Sequence, residues 1–391
     1  MNTRVAIIGC GAVRVGKYPE KTEIELALEA IRQALNEAGI PKDRIGGLFT
    51  TPDLRGNIGL QTNQLCEYMR MTPKLMAEVC CGAIAGGLAV RQAMNEIRLG
   101  NIRTAVCYGA VREASIGWFK EFGSGEGSPM FEPSALQPYG SRGVIWAYAL
   151  SARRYMEETG ATEEHLAMAS VRNRRNAVDN PLAAFRTSIT VEDVLDSQVL
   201  CSPIKLLDSS ASLDGAAAVV LASEEVAEDI CKKPVYIASL GQYHDNSCFM
   251  PTDDADKSIS SFVSTRRAAE EAFENAGIRP EEVDVAEIYA PFSSHELIIP
   301  EDIGWFEKGG MIRALERGET EVGGRIPINT DGGLLSRGHP WAVTPFYEMI
   351  TVVKQLRGES GESQVPEARV GLVHCEGGML NNGLVMILRG D

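Results

Sequence analysis

The chain has 391 residues and a formal net charge of −15, from 38 Lys and Arg against 53 Asp and Glu. That balance, with no long basic run, excludes an ordinary nucleic-acid binder and means that an anionic substrate needs a local basic site. Apolar residues at 44%, 39 glycines and aromatics at only 6% fit a soluble protein of close-packed α/β layers with many strand–helix turns.

In chain order, RVAIIGC (4–10) reads as a buried strand. The apolar run around it is too short for a secretory signal, and no stretch reaches the roughly 18 apolar residues of a membrane span. A cytoplasmic protein with reduced thiols is the expectation. TEIELALEAIRQALNEA (22–38) spaces apolar residues as a helix does, and Gly39 ends it. IGGLFT follows as a second strand. KLMAEVC then runs into a Gly/Ala-rich helix over about 82–99, and TAVCYGA (104–110) is a further strand.

From 116 to about 200 lie Gly/Ser/Pro-rich turns (GSGEGSPMFEPS), a helix (WAYALSARRYMEETG) and a basic stretch (VRNRRNA). The second half repeats the first. AIRQALNEAGI (30–40) returns as AAEEAFENAGI (268–278), an offset of 238, each followed by a Pro-containing turn and a strand. RIPINTDGGLLSRGHP then leads into a helix over about 340–357, and VGLVHCEGG (370–378) is a late strand matching 104–110. Residues 116–200 have no counterpart and read as an inserted loop domain. The expected halves are 1–230, carrying that insert, and 231–391, packed face to face.

Nine cysteines occur without a CxxC pair, which argues against a structural zinc site; no other metal site is expected. Cys81 stands at a strand-to-helix turn, where helix N–H groups stabilise a thiolate. Its neighbour Cys80 competes for any such role, and a small buried packing residue is the alternative for both. One spacing favours Cys81: it lies 19 residues before Gly100, as His339 lies 19 before Gly358. His339, in Gly-His-Pro, is a natural base for a thiol proton, or else a polar turn residue. Cys375 is either an acid/base group or a core cysteine on a strand end.

Four segments together resemble the thiolase superfamily, and especially its sterol-carrier-protein and lipid-transfer branch. They are AEVCCGAIAGG (77–87), EIYAPFSSHEL (287–297), INTDGGLLSRGHP (328–340) and CEGGM (375–379); ITVEDVLDSQVLCSPIKLLDSSASLDGAAAVVLAS (189–223) also fits the branch. The resemblance spans nearly the whole chain. It implies a five-layer α/β/α/β/α fold, a homodimer or tetramer, acyl-CoA and free coenzyme A as substrates, and no tightly bound cofactor. It also implies a nucleophilic Cys81, His339 as its base, Cys375 as acid/base at the substrate α-carbon, and an oxyanion hole from the N–H groups of Cys81 and Gly377.

Glu78 stands three residues before Cys81, where the family has an acidic or Asn-bearing strand end. The helix after Cys81 departs from the family register by about two residues, and WAVTP (341–345) replaces a small Gly/Ala/Gly run. Tyr289 replaces the family's Asn or His. Some thiolase-like aldolases carry tyrosine in this region.

The leading expectation is thiolytic cleavage, or the reverse condensation, of a β-keto acyl-CoA through acyl-Cys81, with a bulky or aromatic acyl group consistent with the altered 341–345 segment. The alternatives are a retro-aldol lyase using Tyr289 on a β-hydroxy acyl-CoA, and a non-catalytic acyl-CoA-binding scaffold. A small zinc-ribbon/OB-fold partner is implied by the branch. Arg172, Arg174 and Arg175 read as a solvated face, with coenzyme A phosphates as the sharper alternative. His295, Glu296 and His374 read as structural.

Overall fold

The computed structural model describes residues 3–51, 61–116, 144–246, 257–378 and 380–390. Nine strands form one mixed sheet: β1 (Val5–Ala12), β2 (Gly47–Thr51), β3 (Leu75–Glu78), β4 (Thr104–Arg112), β5 (Asp214–Ser223), β6 (Val235–His244), β7 (Val285–Ile288), β8 (Val370–Gly377) and β9 (Asn382–Gly390). Their order across the sheet is β3-β2-β4-β5-β1-β6-β9-β8-β7. Read from its two ends, β2-β4-β5-β1 is mirrored by β7-β8-β9-β6. The two runs meet where β1 pairs with β6. In each run only the outer pair, β2·β4 or β7·β8, is parallel.

The helices that matter here are α1 (Glu23–Ala38), α2 (Ala85–Arg98), α3 (Ile145–Thr159), α4 (Glu163–Asn176), α5 (Val263–Ala276), α6 (His295–Ile303) and α7 (Thr344–Arg357). Thr22 opens α1 with a reciprocal cap: its hydroxyl accepts the Glu25 N–H while the Glu25 carboxylate accepts the Thr22 N–H. α1 and α5 end on Gly39 and Gly277, both at φ 65° and separated by the 238 residues read from the sequence.

The repeat extends to packing. A Cβ on Gly11 would lie 2.1 Å from the Ala30 carbonyl of α1, and one on Gly241 would lie 2.1 Å from the Ala268 carbonyl of α5. In both places glycine lets a helix rest directly on strand backbone.

Alternating side chains divide the core into layers. One face of the first run packs on α1 (Ala6, Ile8, Val106, Val220 with Leu26, Ile31). The matching face of the second run packs on α5 and α6 (Leu372, Val385, Ile387 with Ala272, Leu297). The remaining face of each run encloses α2 and α7 (Val219, Leu221, Val373, Met386 with Val90, Met94, Phe346, Ile350). The result is the expected five-layer α/β/α/β/α sandwich.

α2 and α7 begin later than the periodicity predicts. The Cys81–Ile84 segment is taken up by tight turns, with a short bridge between Cys81 and Ala83. A 3₁₀ turn, Trp341–Val343, precedes α7. From the inserted region α3 and α4 are described, while GSGEGSPMFEPS lies outside the described residues, as does Cys248. No helix among the described residues is long and apolar enough to cross a membrane.

Candidate active site

The turn that carries Cys81 sits between the two sheet runs. Small residues make the approach possible. A Cβ on Gly86 would lie 2.9 Å from the Ala342 carbonyl, and one on Gly87 would lie 3.6 Å from Cys375 Sγ. The glycines therefore admit protein neighbours: α2 is drawn against the turn after His339 on one side and against β8 on the other. Ala83 packs with Tyr289, Leu334 and Trp341. A Cβ on Gly377 would lie 3.5 Å from the Ala83 nitrogen. Cys81, Tyr289, His339, Cys375 and Gly377 thus all border one seam.

Cys80 and Cys81 differ in direction. Cys80 is exposed. Cys81 packs on the central core, and its sulfur accepts an N–H from the Asn382 side chain at 3.5 Å. Glu78 is turned away and accepts the N–H and hydroxyl of Thr62, each at 3.0 Å.

His339 is fixed on every side. Its N–H reaches the Ala211 carbonyl and its carbonyl accepts the Leu213 N–H. Nδ1 meets the Ser210 hydroxyl at 3.3 Å and Nε2 meets the Tyr289 hydroxyl at 2.5 Å. Hydroxyls donate or accept, so either tautomer of the ring is satisfied at both nitrogens. Burial first, then Arg337 nearby, pushes its pKa down to about 3, so the ring is neutral at physiological pH. Burial likewise holds the Tyr289 phenol well above its usual range, so it keeps its proton and remains a donor. Trp341 follows at φ 39°, a rare conformation for a bulky side chain, at the start of the turn that replaces the expected small-residue run.

Cys375 lies on β8 facing the central layer and is fully buried. Its thiol donates to Glu348 on α7 at 3.9 Å. Burial, and after it the neighbouring Glu348 carboxyl, hold the thiol well above its ordinary range, so it is a proton carrier in the resting protein. The loop 328–340 ties the seam together. Asn329, at φ 53°, accepts the Ile288 N–H at 2.8 Å and donates to Glu296 at 2.7 Å. Arg337 pairs with Asp331 at 2.5 Å.

This chain is matched over residues 250–390 by the family described as thiolase C-terminal domain-like. An acetyl-CoA acetyltransferase of Methanothermobacter thermautotrophicus is 32% identical over 96% of this chain and 96% of its own length. The chain belongs to the thiolase superfamily. Within it, sterol carrier protein 2 sequences also match, as the branch resemblance implies. A benzoylsuccinyl-CoA thiolase subunit of Thauera aromatica is 30% identical over 97% of this chain and 96% of its own. Among solved structures, one titled Ltp2–ChsH2(DUF35) aldolase superposes with a TM-score of 0.84, at 28% identity, over 98% of this chain and 97% of that one.

For a thiolase-superfamily chain, the residues outside the seam are as informative as those within it. The three arginines do not form one patch. Arg172 is buried and paired with Glu296, with Thr320 at 2.7 Å; Arg175 pairs with Glu321; Arg174 lies over the Phe185 ring at 4.5 Å. Arg172 is thereby tied to the interior, which answers the coenzyme A alternative for that residue. His295 and His374 are buried on the far face of the second sheet run, near Phe262 and Thr265. Among the described residues no cluster of metal-ligating side chains occurs. Sequence reasoning missed Asn382, Ser210, Arg337 and Glu348. Ser210 and Arg337 lie within quoted segments and Asn382 and Glu348 a few residues beyond others, yet none was marked by its own chemistry.

Proposed function

We propose that the protein is a thiolase: free coenzyme A cleaves a β-keto acyl-CoA, or the reverse condensation runs, through an acyl-Cys81 intermediate. The observation that carries this reading is the meeting of Cys81, His339 and Cys375 at one seam, each with a partner suited to its task. Neutral His339 takes the thiol proton, the Cys81 thiolate attacks the keto carbon, and Cys375 protonates the departing α-carbon. N–H groups of Cys81 and Gly377 are the proposed oxyanion donors at the acyl carbon. The Tyr289 hydroxyl, already on His339 Nε2, is the proposed donor to the thioester oxygen.

A bulky or aromatic acyl group in a degradation pathway fits the Trp341 turn and the benzoylsuccinyl-CoA thiolase relative. The test is turnover on a panel of β-keto and β-hydroxy acyl-CoAs, with and without free coenzyme A, joined to mass spectrometry for an acyl group on Cys81. Full activity of Cys81→Ala overturns the reading.

A second reading, retro-aldol cleavage of a β-hydroxy acyl-CoA, is favoured by one contact. Tyr289 Oη and His339 Nε2 are in hydrogen-bond contact at 2.5 Å, and the Ltp2–ChsH2(DUF35) relative is titled an aldolase. That reading predicts a crippled Tyr289→Phe, a tolerated Cys81→Ala, and an aldehyde or ketone product without added coenzyme A. The non-catalytic scaffold predicts binding with no turnover at all.

We further propose a cytoplasmic homo-oligomer, a small zinc-ribbon/OB-fold partner, coenzyme A only as substrate, and a division of the chain near residue 230. The β3 edge, with exposed Met76 on it and exposed Tyr68 on the preceding helix, supports association. Size-exclusion with light scattering checks the oligomer.

A further inference from the structure

Glu348 is fully buried in the first turns of α7. Its Oε2 accepts the Cys375 thiol, and its Oε1 lies 3.9 Å from Arg337. Arg337, also fully buried, pairs with Asp331 at 2.5 Å and lies 3.9 Å from Glu287. The groups that face Glu348 are therefore Cys375 from β8, Arg337 and Asp331 from the 328–340 loop, and Glu287 and Tyr289 from β7 and its end.

One guanidinium meets three carboxyls in a space closed to water. A single positive charge offsets one carboxylate, and a second unpaired one in that setting is costly. Glu287 is held well above its usual range, chiefly by burial. Glu348 is pushed up to about 8, again chiefly by burial. The cluster thus stores protons at neutral pH, one of them in contact with Cys375.

We propose that Glu348 is a positioning residue that supplies, and later recovers, the proton exchanged by Cys375 with the substrate α-carbon. This rests on the thiolase reading above. As the carbon–carbon bond breaks, its electron pair stays on the α-carbon and takes the Cys375 thiol proton. A thiolate is left in an apolar wall. The Glu348 O–H proton moves to that sulfur, and the new carboxylate is offset by Arg337. When coenzyme A attacks acyl-Cys81, its thiol proton goes to the Cys375 sulfur, which returns its own proton to Glu348. Protons and charge are restored each cycle, and no other reactant is needed.

The experiment is the pH profile of kcat and KM for the β-keto acyl-CoA cleaved fastest in the panel, on wild type, Glu348→Gln and Glu348→Asp. Gln keeps the shape and cannot transfer the proton. The expected result is a kcat lowered about tenfold or more in Glu348→Gln with KM little changed. The alkaline limb seen in wild type is lost, and both properties are partly regained in Glu348→Asp. A folded Glu348→Gln with wild-type kcat and an unchanged profile overturns the proposal. Should Glu348→Gln fail to fold, Glu348→Asp decides: its shorter carboxyl must lower kcat and move the alkaline limb, and an unchanged profile overturns the proposal. A wild-type protein that cleaves no β-keto acyl-CoA overturns the thiolase reading and this one with it. Wild-type turnover with an indifferent Glu348 overturns this one alone.

Discussion

Tyr289 and Asn382 act at the scale of single atoms. Removing the Tyr289 hydroxyl leaves His339 Nε2 without its 2.5 Å partner. In the thiolase reading, Tyr289→Phe lowers kcat about 10- to 100-fold with a smaller change in KM, because a donor to developing charge acts in the transition state. Steady-state kinetics with β-keto acyl-CoAs check this. Asn382 supplies the N–H that reaches the Cys81 sulfur. Asn382→Ala should slow alkylation of Cys81 by iodoacetamide at neutral pH by about threefold to tenfold, since the sulfur loses the N–H that orients it; peptide mass spectrometry reads the rate at Cys81 separately from Cys80. Cys81, His339 and Cys375 could be picked out from sequence because each falls inside a segment that resembles the thiolase superfamily; by position alone each read equally well as a packing or turn residue. Glu348 and Ser210 could not. Glu348 reads as one more residue of an amphipathic helix, and only the crossing of α7 over β8 brings it to a thiol.

α1, α5 and strands β1 to β4, β7 and β8 were legible from their periods and caps, because local forces decide them: spacing of apolar residues, Thr22 at one end of α1, Gly39 at the other; β5, β6 and β9 were not read as strands. Thr22→Ala removes a cap of about 1 kcal/mol, and thermal unfolding should show a correspondingly small fall in midpoint with activity unchanged. The starts of α2 and α7 were misread by several residues. There tertiary packing overrides propensity: the residues ahead of each helix are diverted into turns that bring Cys81 and His339 to the seam. Gly86 marks that demand, since its Cβ position is only 2.9 Å from the Ala342 carbonyl. Gly86→Val therefore should separate α2 from the turn after His339. The expected loss is at least tenfold in kcat/KM even in protein that remains folded, since misplacement of about 1 Å is costly to a catalytic group; circular dichroism and kinetics on one preparation check both halves of the statement.

Across the whole molecule, buried titratable groups set a narrow pH window for stability. His295, His339 and His374 are each pushed down to about 3 by burial, so the unfolded chain takes up protons that the folded chain refuses. Their contribution is present above about pH 6.5 and is lost as pH falls towards 3. Asp302, pushed up to about 7, and Glu348, to about 8, work in the opposite sense. Folding holds their protons, so their contribution is complete below the ordinary carboxylate range and is lost as pH rises through 7 and 8. The unfolding midpoint should peak near pH 6 to 7 and fall on both sides, and Glu348→Gln should flatten the alkaline fall. A scan of thermal unfolding from pH 4 to 9 tests this, and a midpoint still rising at pH 9 would count against it.

The mirrored strand order has a consequence for how the enzyme fails. Cys81 comes from one run of the sheet; His339, Tyr289, Cys375 and Asn382 come with the other. The proposed set is complete only where the two runs meet over the shared layer of α2 and α7, so turnover should report on that join. A perturbant that loosens the join, such as pressure or mild denaturant, should silence turnover before secondary structure is lost.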